Sequence, residues 1–464
     1  MYKRNLHIHF VGIGGIGMSG IAEVLLNLGY RVSGSDLKAG EITRRLADLG
    51  GLIGIGHDAR RIVGADVVVT SSAVRGDNPE VVAAHEAGIP VIPRAEMLAE
   101  LMRLKVNGIA VAGSHGKTST TSMAGVVLAE AGLDPTVVIG GQVNSFGSNA
   151  KLGTGDFLVA EADESDGSFV QLSPVLEIVT NIDHEHVDHY PDLEAVKAVF
   201  LEFINRIPFY GAAIVCLDDD QIASLLPRIR KRVITYGFSS QADIQAREIT
   251  PRGLLTRFEV WDREGQLGKV TLAMPGRHNV YNALAAIALG RELEIPFTTI
   301  ARALNNYSGV QRRLQVKGES HGIMVIDDYG HHPTEIRATL AALRAAWPRR
   351  RLVVLFQPHR YSRTAGLLPD FCTAFHDADL LVLSEIYAAG EAEIPEVAGE
   401  ALTRALRQHG QKEVNYVADL VELPTALLPR LQRGDVVLTL GAGNIWQAGE
   451  EILAALAAKE ELAA

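Results

Sequence analysis

Gly108-Ile-Ala-Val-Ala-Gly-Ser-His-Gly-Lys-Thr-Ser119 is the stretch that decides the fold. Gly108 to Ala112 is an apolar run that reads as a buried strand, and Ser119 to Ala131 reads as a helix. Gly113-Ser-His-Gly-Lys-Thr118 lies between them. A strand, a glycine turn and Lys-Thr at a helix start aim backbone N–H groups and the positive end of the helix dipole at a phosphate. Lys117 adds a point charge there, and the Thr118 hydroxyl suits Mg²⁺. The loop departs from the common P-loop by having two residues, not four, between its glycines. An ordinary glycine-rich turn would leave the Lys-Thr pair unexplained.

A second glycine loop lies upstream. Leu6 to Val11 reads as a strand, Ile16 to Leu28 as a helix ended by Gly29, and Tyr30 to Ser35 as another strand. Gly12-Ile-Gly-Gly-Ile-Gly17 joins the first two, with Asp36 nineteen residues beyond Gly17. This pattern exposes N–H groups to a diphosphate and offers a carboxylate to a sugar hydroxyl. NAD and a UDP-sugar both satisfy it.

The strand and helix patterns alternate along the whole chain, which points to doubly wound parallel sheets. We expect an α/β protein of three domains at 1–104, 105–309 and 310–464. The first and last should be Rossmann-like, and the central one a P-loop-type ATPase domain. Gln245 to Ala273 shows short alternating runs and should form a small antiparallel flap on the central domain. Further strands are expected at Ala65–Thr70, Ile89–Ile92, Phe157–Ala160, Glu177–Asn181, Ala213–Leu217 and Val233–Tyr236. The third domain should add Ile323–Ile326, Leu352–Phe356, Leu380–Leu383 and Val436–Leu440.

Composition narrows the function classes. The 464 residues are 47% hydrophobic and 21% charged, so large cores are affordable and disorder is not expected. A net charge of −11 argues against nucleic acid as partner. Only two cysteines occur, which gives no disulfide framework and points to a reducing cytoplasm. Five glycines between Gly12 and Gly20 break the N-terminal apolar stretch, so it does not read as a signal peptide. No apolar run reaches membrane-spanning length, and no membrane partner is expected.

Four more constellations carry chemistry. Glu161-Ala-Asp-Glu-Ser-Asp166 follows a strand, where acids of nucleotide domains commonly hold Mg²⁺. Asn181-Ile-Asp-His-Glu-His-Val-Asp-His-Tyr190 could bind zinc, add a Mg²⁺ ligand or form a satisfied polar loop, and its spacing leaves all three open. Asp327-Asp-Tyr-Gly-His-His-Pro-Thr-Glu335 opens a helix with Pro333 at a favoured first position. His331 and His332 there could cap the helix, or a neutral imidazole could accept a proton from an amine. In Gln357-Pro-His-Arg-Tyr-Ser-Arg-Thr364, Arg360 and Arg363 are three apart and could converge on a carboxylate.

These motifs, with His9 to Gly20 and Gly276-Arg-His-Asn-Val-Tyr-Asn282, resemble the Mur ligase family in the family's order along nearly the whole chain. The short glycine spacing is the family's own form. The resemblance implies domains that bind UDP-sugar, ATP and amino acid in turn. It implies Gly14, Gly15, Asp36, Ser71 and Ser72 at the UDP-sugar. It implies Gly113, Ser114, His115, Gly116, Lys117, Thr118, Ser119, His278, Asn279, Asn282 and Arg313 at ATP. Thr118, Glu161 and His186 would ligate Mg²⁺, with Mn²⁺ as the alternative, which decides the histidine cluster against zinc. Tyr329, His331, Arg360 and Arg363 would meet the amino acid. Lys117, Arg312 and His331 are the expected catalytic residues. Some family members carry a carbamylated lysine; here Phe200 or Leu201 falls at that position and no modification is expected.

Within the resemblance, the Tyr329–Glu335 and Gln357–Tyr361 motifs are the most specific, and they imply the activity that joins L-alanine to the lactyl carboxylate of UDP-N-acetylmuramate in peptidoglycan precursor synthesis. The expected species is a cytoplasmic monomer or weak homodimer. The alternatives are a murein tripeptide ligase of cell-wall recycling and, from other classes, an NAD-dependent oxidoreductase or a non-catalytic nucleotide-binding regulator. The oxidoreductase leaves the loop at Lys117 and the acidic loop at Glu161 unexplained, and the regulator would bind ATP and UDP-sugar without releasing phosphate.

Overall fold

The computed structural model describes residues 5–71, 73–143, 148–186 and 189–463. Three sheets organise the chain. The first is five-stranded and parallel, in the order Leu52–Ile55, Arg31–Asp36, His7–Val11, Val67–Thr70, Val91–Pro93. His7–Val11 is buried at every position, as the central strand of a doubly wound sheet must be.

The second sheet has ten strands. Its parallel centre runs Val233–Gly237, Ala212–Cys216, Leu176–Val179, Asn107–Ala112, Phe157–Glu161 and Thr136–Val143. The expected flap is present: Ile244–Arg252, Leu255–Asp262 and Gly265–Leu272 pair antiparallel at one edge. Asn107–Ala112 sits mid-sheet, so the loop after it emerges at the carboxyl edge where such sheets bind ligands. The third sheet has six strands, Gln315–Ser320, Ile323–Asp328, Val436–Leu440, Leu352–Phe356, Leu380–Leu383 and Val414–Tyr416.

The cores divide unevenly. Apolar side chains of the first and second sheets form one continuous cluster running from Ile8 to Val310. The third sheet has separate clusters on its two faces. The first two units therefore share an apolar interior, from which the clusters of the third are separate. The cysteines, Cys216 and Cys372, are buried and unbridged, and burial pushes the Cys216 thiol up to about 12.

Candidate functional site

The phosphate loop forms as the sequence requires. Gly113 has φ +131°, and a Cβ there would fall 2.0 Å from the Thr180 hydroxyl, so no other residue fits. The helix Lys117–Glu130 starts immediately after Gly116 and has no side-chain cap. Its first N–H groups are left for an anion. Lys117 Nζ donates to the Gly113 and Ser114 carbonyls at 2.6 and 3.1 Å and to Glu164 Oε1 at 2.9 Å. Burial works against its charge, but Glu164, Asp163 and Glu161 raise its pKa further.

Thr118 donates to both Glu161 oxygens, at 3.0 and 3.2 Å. Gly140 N–H donates to Glu161 Oε2 at 2.8 Å and fixes the carboxylate against the loop. His186, at φ +54°, turns its Nε2 to within 3.4 Å of Glu164. Glu164, Glu185 and His186 place ligand atoms within 4.8 Å of one another.

A cleft of about 910 Å³ runs over this loop. From the first unit it is lined by Gly12, Gly15, Asp36, His57, Ser71 and Arg94, and from the third by Tyr329, His331, Glu335 and Arg363. Gly14 N–H donates to Asp36 Oδ2 at 2.9 Å, which ties the glycine turn to the carboxylate. Gly17 is needed for a different neighbour: a Cβ there would lie 2.6 Å from the Arg94 guanidinium. Arg94 crosses to Asp163 at 2.7 Å, and with Lys117 it holds that carboxyl at about 2 against the effect of burial. Ser72 lies outside the described residues.

A second cavity, of about 530 Å³, opens on the other side of the loop. His278, Asn279, Tyr281 and Asn282 line it, opposite Asp218 and Asn181. Gly116, Arg313 and Glu335 border both cavities. Burial and then Arg313 bring His278 down to about 4, so it is a neutral imidazole.

Models of the Mur ligase family match three successive parts of the chain: its catalytic domain at 7–106, its middle domain at 111–290 and its glutamate ligase domain at 312–443. The chain is a Mur ligase. Its relatives include UDP-N-acetylmuramate–L-alanine ligases of Desulfotalea psychrophila and Geobacter sulfurreducens. The first is 62% identical, over 97% of this chain and 98% of that one; the second is 61% identical, over 98% and 99%. Among solved structures, the UDP-N-acetylmuramate-alanine ligase of Thermotoga maritima superposes with a TM-score of 0.83 at 31% identity, covering 98% of this chain and all of that one. A murein peptide ligase of Psychrobacter arcticus, at 24% identity and a TM-score of 0.72, shares the fold.

In this Mur ligase the third unit is latched to the phosphate loop by charge. Asp183 Oδ2 accepts from His115 Nε2 at 2.9 Å and from Thr334 Oγ1 at 2.7 Å. Glu335 lies 3.6 Å and Glu185 3.9 Å from His115 Nδ1. Burial opposes a charge on His115, yet Asp183, Glu335 and Glu185 hold its pKa up at about 10. Arg363 donates to Glu185 at 3.0 Å across the same seam. His331 Nε2 is 3.7 Å from Glu185, and its Nδ1 lies 3.1 Å from the Tyr329 carbonyl. His332 caps the helix Pro333–Ala346 by accepting from Thr334 N–H, and burial lowers it to about 4.

Two expectations for arginines need correction. Arg312 was expected at the phosphates, but its guanidinium donates to Asp327 at 3.0 Å and to the Gly441 and Gly443 carbonyls at 2.6 and 3.1 Å. Arg313, not Arg312, lines the cleft of about 910 Å³. Arg360 and Arg363 do not converge: Arg363 enters the cleft, and Arg360 lies 3.8 Å from Glu391. Asp183 and Glu185 stand between histidines that dominate the chemistry of their loop, and Glu164 stands beside the more evident ligand Glu161, so the sequence does not mark these three carboxylates individually. His57 was missed outright; its Nδ1 lies 2.9 Å from Ser35 Oγ, which donates to the buried Glu80.

Proposed function

We propose that this Mur ligase joins L-alanine to the lactyl carboxylate of UDP-N-acetylmuramate with ATP as co-substrate, in peptidoglycan precursor synthesis. One observation carries the reading. A single cleft brings the diphosphate-type turn at Gly12, the phosphate loop at Lys117 and the His331–Arg363 pair of the third unit onto one volume.

A carboxylate resists attack by an amine because oxide is a poor leaving group. Transfer of the ATP γ-phosphoryl group gives an acyl phosphate, from which phosphate leaves after amine addition. Such transfer depends on positioning and charge neutralisation. Lys117 and the first N–H groups of its helix hold the phosphates. Arg313, at the junction of both cavities, takes the neutralising role expected of Arg312. Gly15, Asp36, Ser71 and His57 hold the UDP-sugar, and His278, Asn279 and Asn282 hold the nucleoside end of ATP.

Mg²⁺ fits the donors present: the Thr118 hydroxyl and the Glu161 carboxylate are hard oxygen ligands already in contact, with His186 on the same cleft wall. Bound there, the ion would neutralise phosphate charge. Arg363 and Tyr329 orient the amino acid. His331, with Nδ1 near the Tyr329 carbonyl, leaves Nε2 to accept a proton from the L-alanine ammonium. The units at 1–104, 105–309 and 310–464 divide these tasks, in a cytoplasmic protein that is a monomer or a weak dimer. Among the described residues no helix is long and apolar enough to cross a membrane.

Phosphate release with UDP-N-acetylmuramate and ATP tests the proposal. L-Alanine should drive release, and the cell-wall tripeptide or no amine should not. Equal or greater release with the tripeptide would replace L-alanine ligation by murein peptide ligation.

A further inference from the structure

Phe209 is 92% exposed and Tyr210 62% exposed, at a tight turn closed by Gly211 N–H donating to the Pro208 carbonyl. Their rings pack edge to face at 5.3 Å, so they project as one unit. Val106, 72% exposed, stands at the start of the strand Asn107–Ala112, two strands away in the same sheet. All three lie at the amino ends of the central strands. The phosphate loop lies at the carboxyl end of Asn107–Ala112, six residues or about 20 Å away.

The same edge carries a basic segment in a chain of net charge −11. Arg228-Ile-Arg-Lys-Arg232 precedes the strand Val233–Gly237, which pairs in parallel with Ala212–Cys216 directly after the aromatic turn. Asn205 fixes the two segments together: its Nδ2 donates to the Arg228 carbonyl at 3.4 Å, and its Oδ1 accepts from Arg230 N–H at 2.8 Å. Arg206 and Arg232 are engaged by Glu202 and Glu292. Arg228 and Arg230 are exposed and have no ion pair among the described residues.

We propose that this edge of the central domain is a peripheral docking surface for an anionic lipid bilayer. An aromatic pair needs no complementary pocket to enter a fluid headgroup layer, and the Phe209 ring is framed by none. Flanking arginines add attraction to anionic headgroups, roughly fivefold in binding per side chain. The net negative charge of the chain opposes non-specific adsorption, so binding depends on the local aromatic and basic groups. The cleft then faces away from the bilayer and stays open to its substrates.

Co-sedimentation of the full chain with vesicles tests this. Phosphatidylcholine vesicles should capture little protein. Vesicles with phosphatidylcholine and phosphatidylglycerol at roughly 3:2 should capture it at about 50 mM salt and release it at about 500 mM. Phe209→Ser with Tyr210→Ser should abolish capture, and Arg228→Glu with Arg230→Glu should weaken it by about 25-fold or more. Both variants should keep full ligase turnover in solution. Equal capture of wild type and variants, or no capture by anionic vesicles, overturns the proposal. Self-association in light scattering that Phe209→Ser removes, without vesicle binding, also overturns it and makes the edge a contact between copies.

Discussion

Replacing Asp183 with Asn isolates the charge that latches the third unit to the phosphate loop. The aspartate accepts from His115 and Thr334 at 2.9 and 2.7 Å. Asn keeps one acceptor oxygen and the side-chain size but loses the charge. A hydrogen bond to a charged group contributes about 1.5–3 kcal/mol, against about 0.5–1.5 kcal/mol between neutral groups. Closure should therefore weaken by about 1–2 kcal/mol, or about fivefold to thirtyfold.

The pH dependence has a definite sign. Glu335 of the third unit helps to hold the proton on His115, so this part of the latch is present while His115 is charged and is lost as pH rises through about 10. Asp183→Asn leaves only Glu335 and Glu185 to hold the proton, so closure fails at a lower pH. In kcat–pH profiles the basic limb should move down in pH and the plateau should fall. Small-angle scattering with ATP and UDP-sugar should show a larger fraction of open molecules. An unchanged basic limb together with unchanged scattering would refute the reasoning.

Lys117→Ala should abolish ligation while titration calorimetry still detects UDP-sugar binding; retained turnover would contradict the loop's role. His331→Gln should lower kcat, and full kcat in the variant would remove His331 as proton acceptor. Glu177, on the strand Leu176–Val179, has both carboxyl oxygens buried without partners, and burial raises its pKa well above the usual value. The native protein keeps a proton there that the unfolded chain releases above about pH 4.3, so stability falls as pH rises from that point toward the native pKa. Glu177→Met should stabilise the central domain by about 1–3 kcal/mol at pH 7 in urea denaturation, with the gain shrinking below about pH 4; a loss at pH 7 would contradict this.

Most strands with a long apolar run were legible, as were loops whose chemistry is written in consecutive residues, but Thr136–Val143, whose apolar run is cut short by Gly140 and Gly141, was not. Leu52–Ile55, Gln315–Ser320 and Val414–Tyr416 were not read from sequence. They lie at sheet edges with half-exposed or polar positions, so the hydrophobic pattern that marks a buried strand is diluted. At the site, Lys117 and Thr118 announce themselves because one turn contains their whole context. Asp183 and Thr334 are 151 positions apart, and Arg363 and Glu185 are 178. Their meaning exists only after the third sheet has docked. Arg312 and Arg313 are chemically alike neighbours, and only the folded backbone distinguishes the one that lines the cleft.

Both cysteines are buried, and burial raises the pKa of each. A thiolate is the reactive form, so neither side chain competes for maleimide or nitroxide reagents near neutral pH. The unaltered sequence is thus a quiet background for labelling. One cysteine on either side of the Asp183–Thr334 seam would carry a fluorophore pair, and single molecules could be watched opening and closing during turnover.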